Sequence, residues 1–322
     1  MKSYSVICFF LLLSMILCPL ASVEKAKQVF ADEIGLEVNE ESGEIATVST
    51  VKVMNASSEN ITEIRLEDYL LGVVACEMSA SYHEEAIKAQ IVAANTLLEH
   101  SKLTKSESLG DADISDSSAT HQGYLTADEQ KEKWGDNYDK NTEKIKKCIE
   151  EVKNLTIQYN NKPITAAFHA ISNGRTENAT DVWGGDYPYL ISVPSDGDKL
   201  SPAYLTEAAF SCNDFKEIIT KQGATLSENT KEWIGEITTT DTGMVAQIKI
   251  GDKSFKGTDI RKYFPLKSST FECEIKDDTV IFKVKGYGHG VGMSQYGANH
   301  MAQQGLNYKE ILLHYYPNTE IK

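Results

Sequence analysis

The sequence lacks the signals of several common protein classes. No Lys/Arg cluster occurs, and 32 basic residues stand against 47 acidic ones, for a net charge of −15. This balance argues against nucleic acid as a partner and against tight binding to an anionic membrane surface. There is no C-x-x-C motif, so a zinc ribbon or a redox site is unsupported. No internal repeat, nucleophile elbow or dinucleotide fingerprint is present either.

Cysteine is scarce outside the N-terminus. Cys8 and Cys18 lie in an apolar run, and the other four are far apart in sequence: Cys76, Cys148, Cys212 and Cys273. Four cysteines allow three disulfide connectivities, and the sequence neither selects one of them nor excludes free thiols. A zinc site at His169 is disfavoured because no cysteine lies within about 20 residues of it. We therefore expect no metal and no other cofactor.

The longest apolar stretch is short for a membrane span. It covers the fifteen residues Val6–Leu20 and follows Lys2, whereas a spanning helix needs about 20 residues. That length fits the apolar part of a signal peptide, but no clean small-residue cleavage site follows it. Residues 1–23 are therefore either a cleaved signal peptide or an uncleaved membrane anchor. In both cases the working part of the protein is exported.

The segments after the leader differ in composition and periodicity. Residues 24–50 are acidic and polar, as in a linker or a loosely held strand. Ala46–Met54 alternates as a strand does. The runs "LTIQYN" and "ITAAFHA" are predicted to form a hairpin joined by Asn160–Pro163, and residues 234–285 are predicted to be rich in strands, with turns at "IGDK" and "IKDD". Helix periodicity is predicted around Ile145 and again near the C-terminus.

A carboxylate interrupts the apolar face of the first predicted helix. Apolar residues follow the i, i+3, i+4, i+7, i+8 pattern at Leu66, Tyr69, Leu70, Val73 and Val74. The next position on that face is Glu77. An apolar surround raises the pKa of a carboxyl group, which would let Glu77 act as a general acid. The alternative is that Glu77 is an exposed residue of the last turn and that Met78 completes the core.

A second helix is predicted directly after the first. Ser81 and Glu84 fit an S-x-x-E capping box. An apolar stripe follows at Ile87, Ile91, Ala94 and Leu98. The two helices are expected to form a hairpin with Glu77 near its turn.

The stretch "GYGHGVGMSQYGA" contains four alternating glycines, Gly286, Gly288, Gly290 and Gly292. Alternating glycine is too flexible for an ordinary strand and indicates close backbone approach to a ligand or another chain. Hydrogen-bonding side chains stand beside it: His289, Ser294, Gln295 and Tyr296. The alternative is a structural turn followed by a helix start at Met293.

The loop "FHAISNGRTENATDVWGGDYPYL" concentrates polar and aromatic side chains. They are His169, Ser172, Arg175, Trp183, Tyr187 and Tyr189. Amphipathic rings beside polar groups suit stacking on the flat faces of sugars. The alternative is a packed surface loop.

In combination these motifs resemble one family. The segments "EDYLLGVVACEM", "EEAIKAQIVAANT", "FHAISNGRTENATDVWGGDYPYLISV", "GYGHGVGMSQYGANHMAQQG" and "ILLHYYPNT" are similar, in this order, to the stage II sporulation protein D family. The stretch "SDSSATHQGYLT" also resembles the family's Thr-His-x-Gln-x-Tyr segment, with one residue fewer. The resemblance runs from about residue 50 to the C-terminus. This family includes lytic transglycosylases of the bacterial cell wall and relatives called amidase enhancers.

The resemblance implies a site and a fold. Glu77 matches the catalytic acid, the Glu of the family's Glu-Met pair. The expected fold is α+β: residues 51–322 form one mixed catalytic domain, with the acid on a helix hairpin and a strand-rich second half around a glycan groove. The predicted substrate contacts are His169, Ser172, Arg175, Trp183, Tyr189, His289, Ser294, Gln295 and Tyr296. Two departures fall on predicted groove positions: Asn95 replaces the usual Arg, and Ile171-Ser172-Asn173-Gly174 replaces Ser-Ser-Gly-Gly.

The implied function is cleavage of peptidoglycan glycan strands with formation of 1,6-anhydro ends, on strands stripped of peptides during engulfment. By analogy, the partners are a cell-wall amidase and a membrane protein of the engulfment machinery. The protein would be anchored at the cell membrane or secreted to the cell wall. Two alternatives stay open: a non-catalytic wall-binding protein that stimulates an amidase, and an adaptor that holds glycan. An intact carboxyl group at Glu77 favours the enzyme.

Overall fold

The computed structural model describes residues 36–38, 45–47 and 49–322. The predicted leader, 1–23, lies outside them, as does most of the predicted linker. The chain divides into two compact units: residues 1–51 with 63–66, and residues 52–62 with 67–322. Helices and strands both contribute throughout, which confirms the α+β class. Within the described ranges, no helix combines the length and apolar content that crossing a membrane requires.

The N-terminal strands are short. Strand β1 is Leu36–Val38 and β2 is Ile45–Thr47, and the two pair antiparallel. Strand β3 is Thr50–Met54, so the run predicted as one strand is divided between β2 and β3. Strand β4 is Ile61–Arg65.

Nine α-helices occur in the described part of the chain. They are α1 Leu66–Glu77, α2 Glu84–Thr104, α3 Ala127–Trp134, α4 Tyr138–Val152, α5 Ala179–Val182, α6 Cys212–Lys221, α7 Gly257–Tyr263, α8 Gln295–Gln303 and α9 Tyr308–Tyr315. Helix α2 packs against α4, α8 and α9, and its predicted apolar stripe is fully buried. Helix α2 is therefore the centre of the first core, and its main helix partners are α4, α8 and α9 rather than α1, with which the predicted hairpin would have paired it.

The capping box predicted for α2 is wrong. The helix begins at Glu84, and its cap is His83, whose Nδ1 accepts the N–H of Glu85 at 3.2 Å. Ser81 lies two residues before the cap position, and its hydroxyl group shares a 2.8 Å hydrogen bond with Ser79 Oγ instead. An imidazole nitrogen can accept the same hydrogen bond as a serine oxygen, and the S-x-x-E pattern does not reveal that competitor.

The remaining strands form small sheets. They are β5 Ile114–Ser115, β6 Ile157–Tyr159, β7 Lys162–Pro163, β8 Phe168–His169, β9 Leu205–Ser211, β10 Ile234–Thr239, β11 Val245–Ile250, β12 Lys253–Lys256, β13 Phe271–Lys276, β14 Thr279–Lys285, β15 Met293–Ser294 and β16 Glu320–Ile321. The sheet orders include β10-β11-β12, β13-β14-β9, β16-β6-β7 and the parallel pair β15-β8. Strand β3 pairs parallel with β5.

The predicted hairpin at Asn160–Pro163 is only partly correct. Asn160 and Asn161 turn the chain with φ of 50° and 58°, and β6 does pair with β7. The run "ITAAFHA", however, does not continue β7. Its only strand residues are Phe168 and His169, which pair in parallel with Met293 and Ser294. That partner lies about 125 positions away, so local alternation could not reveal it.

A separate core fills the strand-rich second half. Strands β9 to β14, predicted in part, enclose it together with helices α6 and α7, neither of which was predicted. The ring of Phe215 stacks on the rings of Trp233 and Phe264, with centroids 6.1 Å and 5.0 Å away. The turns at "IGDK" and "IKDD" occur as expected, at Gly251 and at Asp277–Asp278.

Candidate functional site

Helix α1 is enclosed by protein on every side through most of its length. Its residues from Tyr69 to Ala75 are all buried. The sequence predicted burial of one face of this helix, whereas the structure buries all of its faces over this stretch. At Gly72 a Cβ atom would lie 2.2 Å from Cε2 of Tyr124, and the missing side chain lets that ring pack on the helix backbone. The ring of Tyr124 also stacks on Tyr69 at 5.9 Å. The loop before α3 therefore folds directly over α1.

Glu77 is the last residue of α1, where this cover ends. Its side chain is partly buried, and its Oε1 accepts the N–H of Gly123 at 2.6 Å. A Cβ at Gly123 would lie 2.5 Å from Cys76 Sγ and 2.9 Å from Glu77 Oε1, so only glycine allows this approach. Met78 is buried, as the alternative prediction expected, but Glu77 is not simply an exposed end residue.

Opposing influences act on the Glu77 carboxyl group. Burial raises its pKa and is the largest influence. The N–H of Gly123 and the charge of Lys133 lower the pKa, but the net shift is upward. Lys133 is held beside it because its Nζ donates to the carbonyl of Ala75 at 2.6 Å. The group can thus retain a proton above the usual range and still find donors nearby once it is ionised.

The glycine-rich segment lies along the aromatic loop. Tyr287 and Ile171 exchange both backbone hydrogen bonds, and the N–H of Glu177 donates to the carbonyl of Gly290 at 2.7 Å. At Gly292, φ is 71° and a Cβ would lie 2.0 Å from the carbonyl oxygen of Ala167. The close backbone approach predicted from the alternating glycines is therefore made to another segment of this same chain.

Asp198 joins the two motifs beneath the surface. Its Oδ2 accepts the N–H and the Oγ–H of Ser172 at 3.0 Å and 2.5 Å, and its Oδ1 accepts Ser294 Oγ–H at 2.7 Å. Burial raises the pKa of Asp198, whereas these hydrogen bonds lower it. Sequence analysis missed this residue, because "SDGDKL" has the composition of an ordinary solvated loop.

Two imidazoles and an indole form the next layer. His169 is buried, and its Nδ1 lies 3.1 Å from the carbonyl of Val291, which requires the proton to be on Nδ1. Burial lowers the pKa of His169 to about 3 and that of the partly buried His289 to about 4. The ring of His289 lies 5.7 Å from that of His169 and 5.0 Å from that of Trp183. Both imidazoles are therefore neutral at physiological pH.

The predicted substrate contacts separate into a buried and an exposed group. His169, Ser172, Ser294 and Gln295 are buried, and each is hydrogen-bonded within the protein. Trp183 is 46% exposed, Arg175 is exposed, and Tyr189, His289 and Tyr296 are partly exposed. Direct contact with a sugar is therefore open to the second group, whereas the first group supports the backbone beneath it.

The glycine-rich segment and the helix that follows it also contact α2 and the turn before it. The N–H of His83 donates to Asn299 Oδ1 at 2.8 Å, and the rings of Tyr82 and Tyr296 are 6.3 Å apart. Gln295 Nε2 lies 3.2 Å from Gln90 Oε1 on α2. A common groove for Glu77, His169, Ser172, Arg175 and Trp183 stays a prediction.

The two departures from the family pattern have different environments. Asn95 is buried, and its amide donates to the carbonyls of Lys153 and Leu155 at 3.0 Å and 3.1 Å, so the expectation that it lines a groove is wrong. Asn173 is partly exposed and donates to the carbonyl of Thr242 at 2.8 Å. The four described cysteines are free thiols.

Comparison with known proteins identifies relatives. A family model described as stage II sporulation protein matches residues 54–159. Stage II sporulation protein D of Bacillus amyloliquefaciens is 39% identical over 274 residues, which cover 84% of this chain and 78% of that protein. The protein of the same name from Bacillus subtilis (strain 168) is 38% identical over 280 residues, 86% and 80% of the two chains. An amidase enhancer of Bacillus subtilis (strain 168) is 30% identical over 305 residues, 78% of this chain and 40% of that protein.

Proposed function

The chain belongs to the stage II sporulation protein D family, and from this premise we propose that it is an exported peptidoglycan lytic transglycosylase. It cleaves the bond between N-acetylmuramic acid and N-acetylglucosamine in glycan strands stripped of their peptides. Residues 51–322 form the catalytic domain, outside the cytoplasm. The setting is engulfment during sporulation, beside a cell-wall amidase and a membrane protein.

One observation carries this proposal: the carboxyl group of Glu77 stands at the open end of a buried helix with a raised pKa. A binding protein gains nothing from a carboxyl group that burial makes harder to ionise. A general acid needs that property, because it must hold a proton near neutral pH and release it in the transition state.

The chemistry requires a single carboxyl group. Protonated Glu77 gives its proton to the oxygen that links C1 of the muramic acid to the next sugar, and the C1–O bond breaks. The C6 hydroxyl group of the same muramic acid attacks C1 and returns its proton to the Glu77 carboxylate. The products are a 1,6-anhydro end and a free hydroxyl group, without water. The second carboxylate of ordinary glycosidases is not needed.

Other residues bind the sugar or hold the binding groups in place. The N–H of Gly123 stabilises the Glu77 carboxylate between the two proton transfers. Trp183 provides an exposed ring for stacking on a sugar face, with Tyr189 and Tyr296 as partly exposed rings. His289 supports the ring of Trp183. His169, Ser172, Ser294 and Gln295 hold the two motifs in place.

The substitution Glu77→Gln tests the acid. Gln keeps the size of the group and its acceptor for the Gly123 N–H but cannot donate a proton in catalysis. We expect release of anhydro products from purified glycan strands to fall by about 10²- to 10⁴-fold, with glycan binding unchanged. Glu132→Gln, an exposed change on α3, is the matched control and should keep wild-type activity. Near-wild-type release by the Glu77→Gln protein, measured by mass spectrometry, would remove Glu77 from the mechanism.

A second function is favoured by one comparison. One relative is named amidase enhancer. As a non-catalytic wall-binding protein, the chain would stimulate an amidase, and Glu77→Gln would leave that stimulation intact. Wild-type protein that releases no anhydro products yet accelerates an amidase on intact cell walls would establish this function in place of the first.

A further inference from the structure

A cleft of about 450 Å³ opens beside the aromatic loop, on the side of the strand-rich core. Its lining includes Asn173, Arg175, Asp196, Lys199, Tyr204 and Lys285. A volume of this size is typical of sites for small ligands. None of these residues except Arg175 was singled out as a substrate contact in the sequence.

The charge of this cleft is opposite to that of the whole protein. Three cationic side chains line it, Arg175, Lys199 and Lys285. Asp196 pairs with Lys199 at 2.8 Å, and Glu272 pairs with Lys285 at 3.1 Å. The three cations and their two paired carboxylates sum to +1, on a chain whose net charge is −15. The carboxyl group of Glu177 lies beside them and accepts hydrogen bonds from Asn173 and Thr242 of the lining. Among the described contacts Arg175 has no ion pair, and its Nε–H donates to Ser192 Oγ at 3.3 Å.

The backbone is shaped to bring these cations together. At Gly174, φ is 108° and a Cβ would lie 2.4 Å from Cε of Lys199. The missing side chain lets the lysine stem cross the backbone directly beside Arg175. The hydroxyl group of Tyr204 donates to the carbonyl of Asn173 at 3.0 Å and fixes the loop from the other side.

The cleft continues into the surface that carries Trp183. A narrow gap lined by Glu177, Gly288 and His289 shares Asn173, Arg175, Thr270 and Lys285 with the cleft. The ring of His289 lies 5.0 Å from that of Trp183. A ligand stacked on the indole would therefore have the cationic side chains of this cleft beside it.

We propose that this cleft binds the lactyl carboxylate of N-acetylmuramic acid, an inference that rests on the proposed function. In a peptide-bearing strand the lactyl group is an uncharged amide, whereas removal of the peptide leaves a carboxylate. Arginine forms paired hydrogen bonds with a carboxylate, and lysine adds a point charge. The cleft thus selects the product of an amidase, and the amide-hydrolysing reaction must act on the strand first.

Binding by the full chain carrying Glu77→Gln tests this inference, because that protein is expected to cut its ligand at least about 10²-fold more slowly than the wild type. The probes are amidase-treated glycan strands and the same strands with their lactyl carboxylates converted to methyl amides. We expect at least about tenfold tighter binding of the carboxylate form, a preference that decreases as salt is added. Adding Arg175→Gln and Lys199→Gln should remove the preference. Adding Lys221→Gln, an exposed lysine outside the cleft, should keep it.

Competition identifies the ligand. N-acetylmuramic acid should displace the carboxylate strands, and N-acetylglucosamine should not. Equal binding of both strand forms by the Glu77→Gln protein would overturn the inference. Displacement of the carboxylate strands by inorganic phosphate at the same concentration as N-acetylmuramic acid would overturn it as well. Cleavage is measured separately with the wild type. A strand preference without anhydro products would refute the proposed enzyme and leave the carboxylate site standing, whereas cleavage without a preference would refute this site alone.

Discussion

Glu77 shows how a single position can be predicted from spacing while its environment cannot. The i+11 position of an apolar face predicted that Glu77 would be buried, and the structure adds a contact that the spacing does not reveal: the N–H of Gly123 donates to the Glu77 carboxyl group. That contact joins residues 46 positions apart, and a single sequence contains no signal for it. The same holds for Asp198, which only the folded loops bring to Ser172 and Ser294.

The raised pKa of Glu77 has a consequence for stability. Below about pH 4.3 the carboxyl group is protonated in folded and unfolded chains alike, so it contributes no pH dependence there. As the pH rises through the raised folded-state pKa, ionisation destabilises the folded protein more than the unfolded one. Glu77→Gln lacks this penalty. We therefore expect its free energy of unfolding, relative to wild type, to increase with pH and then to level off.

Urea denaturation at several pH values between 4 and 8 measures this difference. The exposed change Glu132→Gln on α3 provides the baseline. A Glu77→Gln advantage that shrinks with rising pH would mean that the folded protein lowers the pKa of Glu77, and the general-acid argument would lose its physical basis.

Among the helices and strands, sequence periodicity predicted the buried faces of helices but missed the short strands that pair with distant parts of the chain. The buried stripe of α2 and the predicted helix α4 are confirmed; the buried residues of α4 are Ile145, Cys148, Ile149 and Val152. Such faces are predictable because their apolar residues recur every three or four positions along the sequence. Two-residue strands such as β8 and β15 have too few residues to alternate. These strands form only because each pairs with a strand that is distant in sequence, and the same is true of β5, which pairs with β3.

The turn between α1 and α2 is held by lysines from the neighbouring helices. Lys144 of α4 donates to the carbonyls of Ala80 and Tyr82 at 2.9 Å and 2.5 Å. Lys133 of α3 donates to the carbonyl of Ala75, in the last turn of α1 just before it. We expect Lys144→Met to lower the free energy of unfolding by about 2 kcal/mol, because charged donors to partly buried carbonyls are lost. Glycan cleavage should fall as well, since this turn follows Glu77 directly.

Lys146→Met is the matched control for this turn. It makes the same chemical change at an exposed position of the same helix. Urea denaturation and release of anhydro products are compared for both proteins. If Lys144→Met behaved like Lys146→Met in both assays, the hydrogen bonds to the turn would contribute nothing to the position of Glu77.

At the scale of the whole molecule, the second half carries its own core. Aromatic rings dominate it: the ring of Phe282 lies 5.2 Å from Phe264 and 5.4 Å from Phe271, and all three side chains are buried. Helix α2 belongs to the other core, with α4, α8 and α9. Two cores in one unit raise the question of whether they open together, since proteins often open in cooperative parts.

We expect Phe282→Ala to destabilise the second half selectively. Removing a buried Phe side chain costs about 3–5 kcal/mol, through lost transfer free energy and the cavity that is left. If residues 205–285 open as one cooperative part, native-state hydrogen exchange will accelerate in β9, β13 and β14, while amides in the middle of α2 stay protected. Ile91→Ala, a change at a fully buried position of α2, should give the reverse pattern. Equal loss of protection in both regions for both variants would show that the two cores unfold as one, and Glu77 would then share the stability of the entire molecule.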